Sequence, residues 1–209
     1  MLAEKIRVMG GAHWLILFGA IATAWGLLYA ISLPADLRTA GQFYGLDFVA
    51  QLCIVTPDAA GFMRLVLMWV LMSAAMMAPT ILPALATYDD LSQTTPDTNF
   101  AHLVAGYFLV WVGFSVFAAL AQMVLFNANL VSLFGDSRST LLSSSLLILA
   151  GLYQFSPLKE ACLSKCRQPM MFFLQYWNEG PWRNGIRLGL ICLGCCWALM
   201  LLAFVGGVM

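Results

Sequence analysis

Residues 65–88 read LVLMWVLMSAAMMAPTILPALATY, a stretch of aliphatic, aromatic, small and methionine side chains that contains no Lys, Arg, Asp or Glu. A helix rises about 1.5 Å per residue, so this stretch is long enough to cross a hydrocarbon core of roughly 30 Å. It therefore predicts a transmembrane helix, and the rest of the chain is interpreted from it.

Other apolar stretches lie on both sides of this one, at residues 12–33, 103–126, 139–155 and 188–209. The chain is 62% hydrophobic and only 10% charged, whereas a soluble domain carries roughly 25% charged residues. A soluble chain of this size could not enclose so much apolar surface in one core, but lipid allows the exterior itself to be apolar. We predict an all-α polytopic transmembrane bundle of about five spans, forming a single domain over residues 1–209.

The fourth stretch is the shortest, and its serine run at residues 143–145 is interpreted as a face for close helix packing. Residues 42–55 mix aromatic and aliphatic side chains with a few polar groups, as an interfacial segment does. Residues 170–177 are apolar and aromatic but too short to cross the bilayer, so they are expected to lie at the headgroup level or to dip into the membrane. We therefore expect short interfacial segments beside the spans.

The basic residues predict the orientation. With five spans, Arg38, Arg64 and Arg138 share one side, and the other seven share the side of the N-terminus: Lys5, Arg7, Lys159, Lys165, Arg167, Arg183 and Arg187. Positive charge collects on the cytoplasmic side of membrane proteins. The N-terminus is therefore expected in the cytoplasm, with the protein in a membrane such as the bacterial inner membrane.

Methionine is concentrated in the stretch at residues 65–88. At about 100° per residue, three of its methionines share a helical stripe and a fourth is adjacent: Met68, Met72, Met76 and Met77. A thioether is a soft, uncharged ligand that suits Cu(I) and can lie in hydrocarbon without the cost of a buried charge. Methionine also fills apolar gaps, so the stripe has both a metal-binding and a packing interpretation.

The last stretch carries more sulfur, in the string CLGCCWALM at residues 192–200. Cys192, Cys196 and Met200 follow at one-turn intervals on one helix face, and Cys195 flanks them. Thiolate selects Cu(I), zinc or iron–sulfur clusters. A buried cysteine is also a small hydrophobic residue, although three so close together are harder to explain by packing.

A further pair of cysteines lies in YQFSPLKEACLSKCRQP, residues 153–169. Ser156 and Pro157 suit the cap and first turn of a helix, which would place Cys162 and Cys166 on one face. Such a pair can hold a soft metal ion or form a disulfide, and on a cytoplasmic surface metal binding or thiol exchange is favoured over a lasting disulfide. The neighbouring basic residues could equally face anionic lipid headgroups.

Several functional classes are disfavoured. Ten Lys and Arg balance ten Asp and Glu, so net charge gives no reason to expect nucleic-acid binding. No carboxylate occurs in the middle of a predicted span, which argues against a proton-coupled transporter. There is no glycine-rich phosphate loop, nucleophile elbow or catalytic triad. We predict that the protein is not an enzyme and has no catalytic residues.

Three segments together resemble a family of uncharacterised, predicted metal-binding integral membrane proteins, sometimes labelled copper chaperones. They are MWVLMSAAMMAP at residues 68–79, YQFSPLKEACLSKCRQP at residues 153–169 and GLICLGCCWALM at residues 189–200. The resemblance extends from the second predicted span to the C-terminus, and the strings occur in the same order. It implies a membrane protein that binds metal.

The first functional hypothesis is a Cu(I)-binding membrane protein that delivers copper to a larger membrane enzyme or helps to assemble one. In it the methionines of the second span face Cys192, Cys195, Cys196 and Met200, while Cys162 and Cys166 form an entry or exit site. The alternative is a non-catalytic structural or accessory subunit of a membrane protein complex, in which the sulfur residues are packing.

Overall fold

The structure is a computed structural model that describes residues 11–32, 56–92, 99–132 and 135–206. The described chain is built from helices, which we number in chain order: α1 (Ala12–Ser32), α2 (Ala59–Ser92), α3 (Phe100–Asn127), α4 (Thr140–Gln154), α5 (Pro157–Arg167), α6 (Pro169–Tyr176), α7 (Pro181–Met200) and α8 (Ala203–Gly206). A 3-10 turn, Trp177–Glu179, joins α6 to α7. The predicted interfacial segment 42–55 lies outside the described residues.

Four described segments are long and apolar enough to cross a membrane: Ala12–Ala30, Ala59–Ser92, Phe100–Asn127 and Pro181–Gly206. Helices α4 and α5 could make a fifth crossing, as a pair bent by 61°. The prediction of an all-α bundle with about five candidate spans is therefore confirmed, and helix α6 coincides with the second predicted interfacial segment, at residues 170–177.

The bend between α4 and α5 has a local cause. Pro157 occupies the first turn of α5, and the side chain of Ser156 accepts a hydrogen bond from the backbone N–H of Lys159. A capping serine followed by proline begins a new helix, because proline has no N–H to continue the preceding one. Helix α4 buries only Ala150, so the serine run at residues 143–145 is not the tight packing face that we expected.

Helix α2 begins before the apolar stretch does. The hydroxyl of Thr56 donates to the carboxylate of Asp58, and the backbone N–H of Gly61 donates to Asp58 Oδ1 at 3.1 Å. These donors hold the pKa of Asp58 below its ordinary value, and the hydrogen bond from the Thr56 hydroxyl has the largest effect. The polar cap explains why the helix extends to Ala59, beyond the boundary that hydrophobicity alone predicts.

Two prolines lie inside α2, and a neighbouring helix compensates for the first. Pro79 cannot donate to the carbonyl of Ala75, its normal partner one turn earlier. The indole Nε1 of Trp25 donates to that carbonyl instead, at 2.9 Å. In an apolar surrounding a free carbonyl is costly, so this bond ties α1 to α2.

Helix α3 is the centre of the bundle, because it packs against both α2 and α7. Helices α1 and α2 run antiparallel, since Trp14 at the start of α1 donates to Asp89 near the end of α2 at 3.0 Å. The rings of His13 and Phe100 lie 4.6 Å apart at this same end. We call it the His13 end.

Helices α3 and α7 meet backbone to backbone at Gly106 and Gly185. A Cβ atom on Gly185 would lie 2.2 Å from the carbonyl oxygen of Leu103 and 3.1 Å from Gly106 Cα. A Cβ on Gly106 would lie 2.6 Å from the carbonyl oxygen of Trp182. Small residues permit such contact between helices in lipid, and here the contact sets the register of α7 against α3.

Polar side chains form a buried seam between α2 and α3. Trp69 Nε1 donates to Gln122 Oε1 at 2.8 Å, and the hydroxyls of Ser73 and Ser115 lie 3.4 Å apart. All four residues are almost completely buried. Because buried polar groups need partners, the seam fixes the pairing of these helices.

Replacing Gln122 by leucine is expected to lower the free energy of unfolding by about 1 kcal/mol, because the indole N–H of Trp69 loses its acceptor. The loss is expected near the low end of the usual range, since Gln122 Nε2 has no partner within the described chain and is removed as well. Thermal unfolding in detergent micelles measures the change. Gln175→Leu, at an exposed position of α6, is the matched control, and equal melting of wild type and Q122L would contradict the assignment.

Candidate metal site

The methionines of α2 do not all face the interior. Met68, Met72 and Met77 are buried, whereas Met76 is 45% exposed. The side chain of Met76 therefore lies on the outer surface of the bundle, one residue away from a buried neighbour. Helix α2 approaches the cysteines of α7 through Thr80, whose Oγ1 lies 3.9 Å from Cys192 Sγ.

Cys192 is held where α2, α3 and α7 meet. The hydroxyl of Tyr107 on α3 lies 3.2 Å from Cys192 Sγ and 3.1 Å from the carbonyl oxygen of Met77, so it can donate to either. Tyr107 is completely buried and Cys192 is 8% exposed. Tyr107 was not among the predicted site residues, although a single tyrosine within an apolar span is a signal that could have identified it.

The α5 cysteines lie against α7. Cys166 Sγ is 3.5 Å from Cys195 Sγ. A Cβ atom on Gly194 would lie 2.6 Å from Cys162 Sγ, so the absence of a side chain at position 194 leaves room for this thiol. Helix α5 thus presents both of its cysteines to one segment of α7, rather than forming a site of its own.

The fifth cysteine of the described residues, Cys196, directly follows Cys195 along α7 and lies one turn beyond Cys192. We call the five thiols of α5 and α7 the thiol cluster: Cys162, Cys166, Cys192, Cys195 and Cys196. All five are free thiols.

The depth of the thiols differs across the cluster. Cys192 and Cys195 are buried, whereas Cys162, Cys166 and Cys196 are partly exposed. Met200, one turn beyond Cys196 on α7, is 2% exposed. The cluster therefore extends from the surface of α5 into the core of the bundle.

The ligands that the thiol cluster offers to a metal ion are all sulfur atoms. Across the described ranges, no three His, Cys, Asp or Glu side chains converge as a ready-made site for an ion. Cu(I) does not require such a site, because it is stable with two or three soft ligands, and thiolates are the ligands that select it. The arrangement brings two thiols from separate helices to within 3.5 Å of each other, at Cys166 and Cys195.

A sequence model of the family PpoB2, described as copper chaperone, matches residues 66–209. The matched segment is well over half of the chain and includes every predicted sulfur ligand. Neither the curated proteins nor the solved structures contain a match to the chain. The family match associates the chain with copper, and the chain belongs to the PpoB2 family of copper chaperones.

Proposed function

We propose that the protein binds Cu(I) within a membrane and delivers it to a copper enzyme or a larger membrane complex. The observation that carries the proposal is the 3.5 Å separation of Cys166 Sγ and Cys195 Sγ, which brings two soft ligands together from separate helices. Membership of a copper chaperone family supports an accessory role in copper handling rather than catalysis. Copper is here the cargo of the protein.

The geometry can adapt to an ion. Two sulfurs on opposite sides of a metal, each about 2.3 Å from it, are roughly 4.6 Å apart. Cys166 and Cys195 would have to separate by about 1 Å, or Cys196 would have to join them as a third ligand. Helix α5 has no buried residue, so a small shift of α5 disrupts little packing.

Neighbouring sulfurs offer a route for the ion. Cys162 lies on the accessible side of the cluster and Cys192 on the buried side. We infer that soft ligands exchange the ion stepwise between them, and that buried thioethers extend the route as weaker neutral ligands: Met68, Met72, Met77 and Met200. Met76 is not included, because its side chain is directed outward.

The exterior of the bundle supports integration in a membrane. Leu15, Phe117 and Leu141 are 69%, 63% and 78% exposed. So large an apolar exterior is unfavourable in water and favourable in lipid.

Charge supports the predicted orientation of the N-terminus. Arg183 and Arg187, at the start of α7, lie at the His13 end, whereas Arg64 and Arg138 lie at the opposite end. With five spans, the sequence assigns seven of the ten Lys and Arg residues to the side of the N-terminus, and this excess of positive charge favours a cytoplasmic His13 end. A reporter inserted between α2 and α3 is expected to report a cytoplasmic location, and an external location would reverse the orientation.

Anaerobic titration of the purified full chain with Cu(I), against a competing chelator, tests the function. We expect one Cu(I) held with high affinity, and an unchanged affinity in Met76→Leu, because that side chain lies outside the bundle. Failure of the wild type to compete for Cu(I) would contradict the proposal and favour a structural subunit. Loss of affinity in M76L would instead indicate that the methionines of α2 hold the metal.

A further inference from the structure

Cys192 has a different neighbour from the other thiols of the cluster. Its thiol meets α3, where the hydroxyl of Tyr107 lies 3.2 Å from Cys192 Sγ, whereas the thiol of Cys195 meets Cys166 of α5. Both Cys192 and Tyr107 are buried. The buried end of the cluster therefore pairs a sulfur atom with a hydroxyl group rather than with a second helix of cysteines.

Small residues of α7 bring this cysteine and this tyrosine together. A Cβ atom on Gly189 would lie 3.0 Å from the carbonyl oxygen of Tyr107, so α7 passes directly over the backbone of α3 at that residue. Gly185, one turn earlier, meets Gly106 in the same way. Cys192 follows Gly189 by three residues and so lies on the same side of α7. Backbone packing, rather than a flexible side chain, sets the contact between Cys192 and Tyr107.

The hydroxyl of Tyr107 is free to donate its hydrogen bond to sulfur. It has one hydrogen and two acceptors within reach, which are Cys192 Sγ and the carbonyl oxygen of Met77 at 3.1 Å. That carbonyl also accepts from Thr80 Oγ1 at 2.8 Å. The Met77 carbonyl therefore keeps a partner when the tyrosine donates to Cys192, and no buried acceptor is left unpaired.

A sulfur atom that binds Cu(I) at this depth needs such a donor. The ligand is the thiolate, and the thiol releases its proton to solvent when the ion binds. Two thiolates around one Cu(I) leave one negative charge, and a buried charge is costly unless it is paired or hydrogen-bonded. A hydrogen bond from a group next to the ligand offsets that cost and fixes the orientation of the ligand.

We propose that Cys192 is the inner ligand for Cu(I) and that Tyr107 is its positioning residue. The ion held by the outer pair, Cys166 and Cys195, passes along α7 to Cys192. There the Tyr107 hydroxyl rotates from its carbonyl acceptor to the sulfur and stabilises the thiolate. Cys196, one turn from Cys192 on the same helix, supplies the second sulfur of this inner position. The inference rests on the proposed Cu(I)-binding function and adds the group that makes the buried end of the cluster a ligand.

The test titrates Cu(I), without oxygen, into the full chain in detergent against a competing chelator. The variant Cys166→Ser/Cys195→Ser lacks the outer pair, so its remaining affinity reports the inner position. We expect Tyr107→Phe to lower this affinity by about 10–100-fold, the usual loss when a group that hydrogen-bonds a metal ligand is removed. Tyr29→Phe, which removes the hydroxyl of a tyrosine that is 70% exposed on α1, is the matched control and should have no effect.

Cys192→Ser decides whether the hydroxyl acts through the sulfur. In the variant that lacks the outer pair, C192S should itself lower the affinity, and Tyr107→Phe should then cause no further loss, because the two groups act as a unit. An equal loss from Y107F with and without Cys192 would overturn the inference, since the hydroxyl would then act on the fold alone. An unchanged affinity in Y107F would overturn it as well.

The wild type separates this inference from the proposed function. Tight binding of Cu(I) by the wild type, with none by the variant that lacks the outer pair, would overturn the inner position and leave the proposed function intact. No binding of Cu(I) by the wild type would overturn the proposed function and this inference with it.

Discussion

Replacing Cys195 by serine is expected to lower the affinity for Cu(I) by on the order of a hundredfold. The apparent binding energy of structural zinc sites is about 10–16 kcal/mol for four ligands. One ligand is then worth about 2.5–4 kcal/mol, and each 1.4 kcal/mol is a factor of ten in affinity. A hydroxyl replaces a thiolate poorly, because Cu(I) prefers soft ligands.

The same loss of Cu(I) affinity is expected when the partner of Cys195 is replaced. Cys166→Ser should cause a loss of similar size, because Cys166 and Cys195 would hold the same ion. The double variant should bind only slightly more weakly than either single variant, since ligands of one ion do not contribute independently. Competition with a Cu(I) chelator measures all three, with Cys53→Ser as the control for loss of a thiol. Wild-type affinity in C195S, or additive losses in the double variant, would contradict a shared ion.

A large loss of stability is expected when the close contact between α3 and α7 is disturbed. Replacing Gly185 by leucine is expected to lower the free energy of unfolding by at least about 3 kcal/mol, the upper end of the usual cost of overpacking. A side chain at this position would meet the carbonyl oxygen of Leu103 at 2.2 Å. Backbone atoms cannot rotate away as a flexible side chain can, so α3 and α7 would be forced apart.

Gly113→Leu provides the matched control on α3, because a Cβ at Gly113 has no neighbour within 4 Å among the described residues. It is expected to leave the melting temperature almost unchanged. Thermal unfolding and size-exclusion chromatography in detergent compare the two variants. If G185L has the same melting temperature as G113L and the wild type, the backbone contact between α3 and α7 does not stabilise the bundle.

The architecture was largely predictable because membrane-spanning helices follow from the length of apolar stretches. The stretch at residues 65–88 lies entirely within α2, and residues 103–126 lie within α3. The boundaries were less accurate, since the cap at Asp58 and the bend at Pro157 depend on polar groups outside the apolar stretches. Hydrophobicity identifies a span, but hydrogen bonds decide where a helix begins.

The candidate site was only partly predictable. Spacing on a helix places Cys162 and Cys166 on one face, but it contains no information about which helix that face meets. The contact between Cys166 and Cys195 joins residues 29 positions apart, and it depends on the bend between α4 and α5. Periodicity likewise grouped Met76 with its buried neighbours, whereas packing against α3 directs it outward.

Copper K-edge X-ray absorption of the Cu(I)-loaded protein tests the central claim most directly, because it reports the atoms bound to the ion. We predict two or three sulfur neighbours at about 2.3 Å and no shell of nitrogen or oxygen at about 2.0 Å. In Cys195→Ser the number of sulfur neighbours should fall. A first shell dominated by nitrogen or oxygen, or a sulfur shell unchanged in C195S, would contradict a copper site built on Cys166 and Cys195.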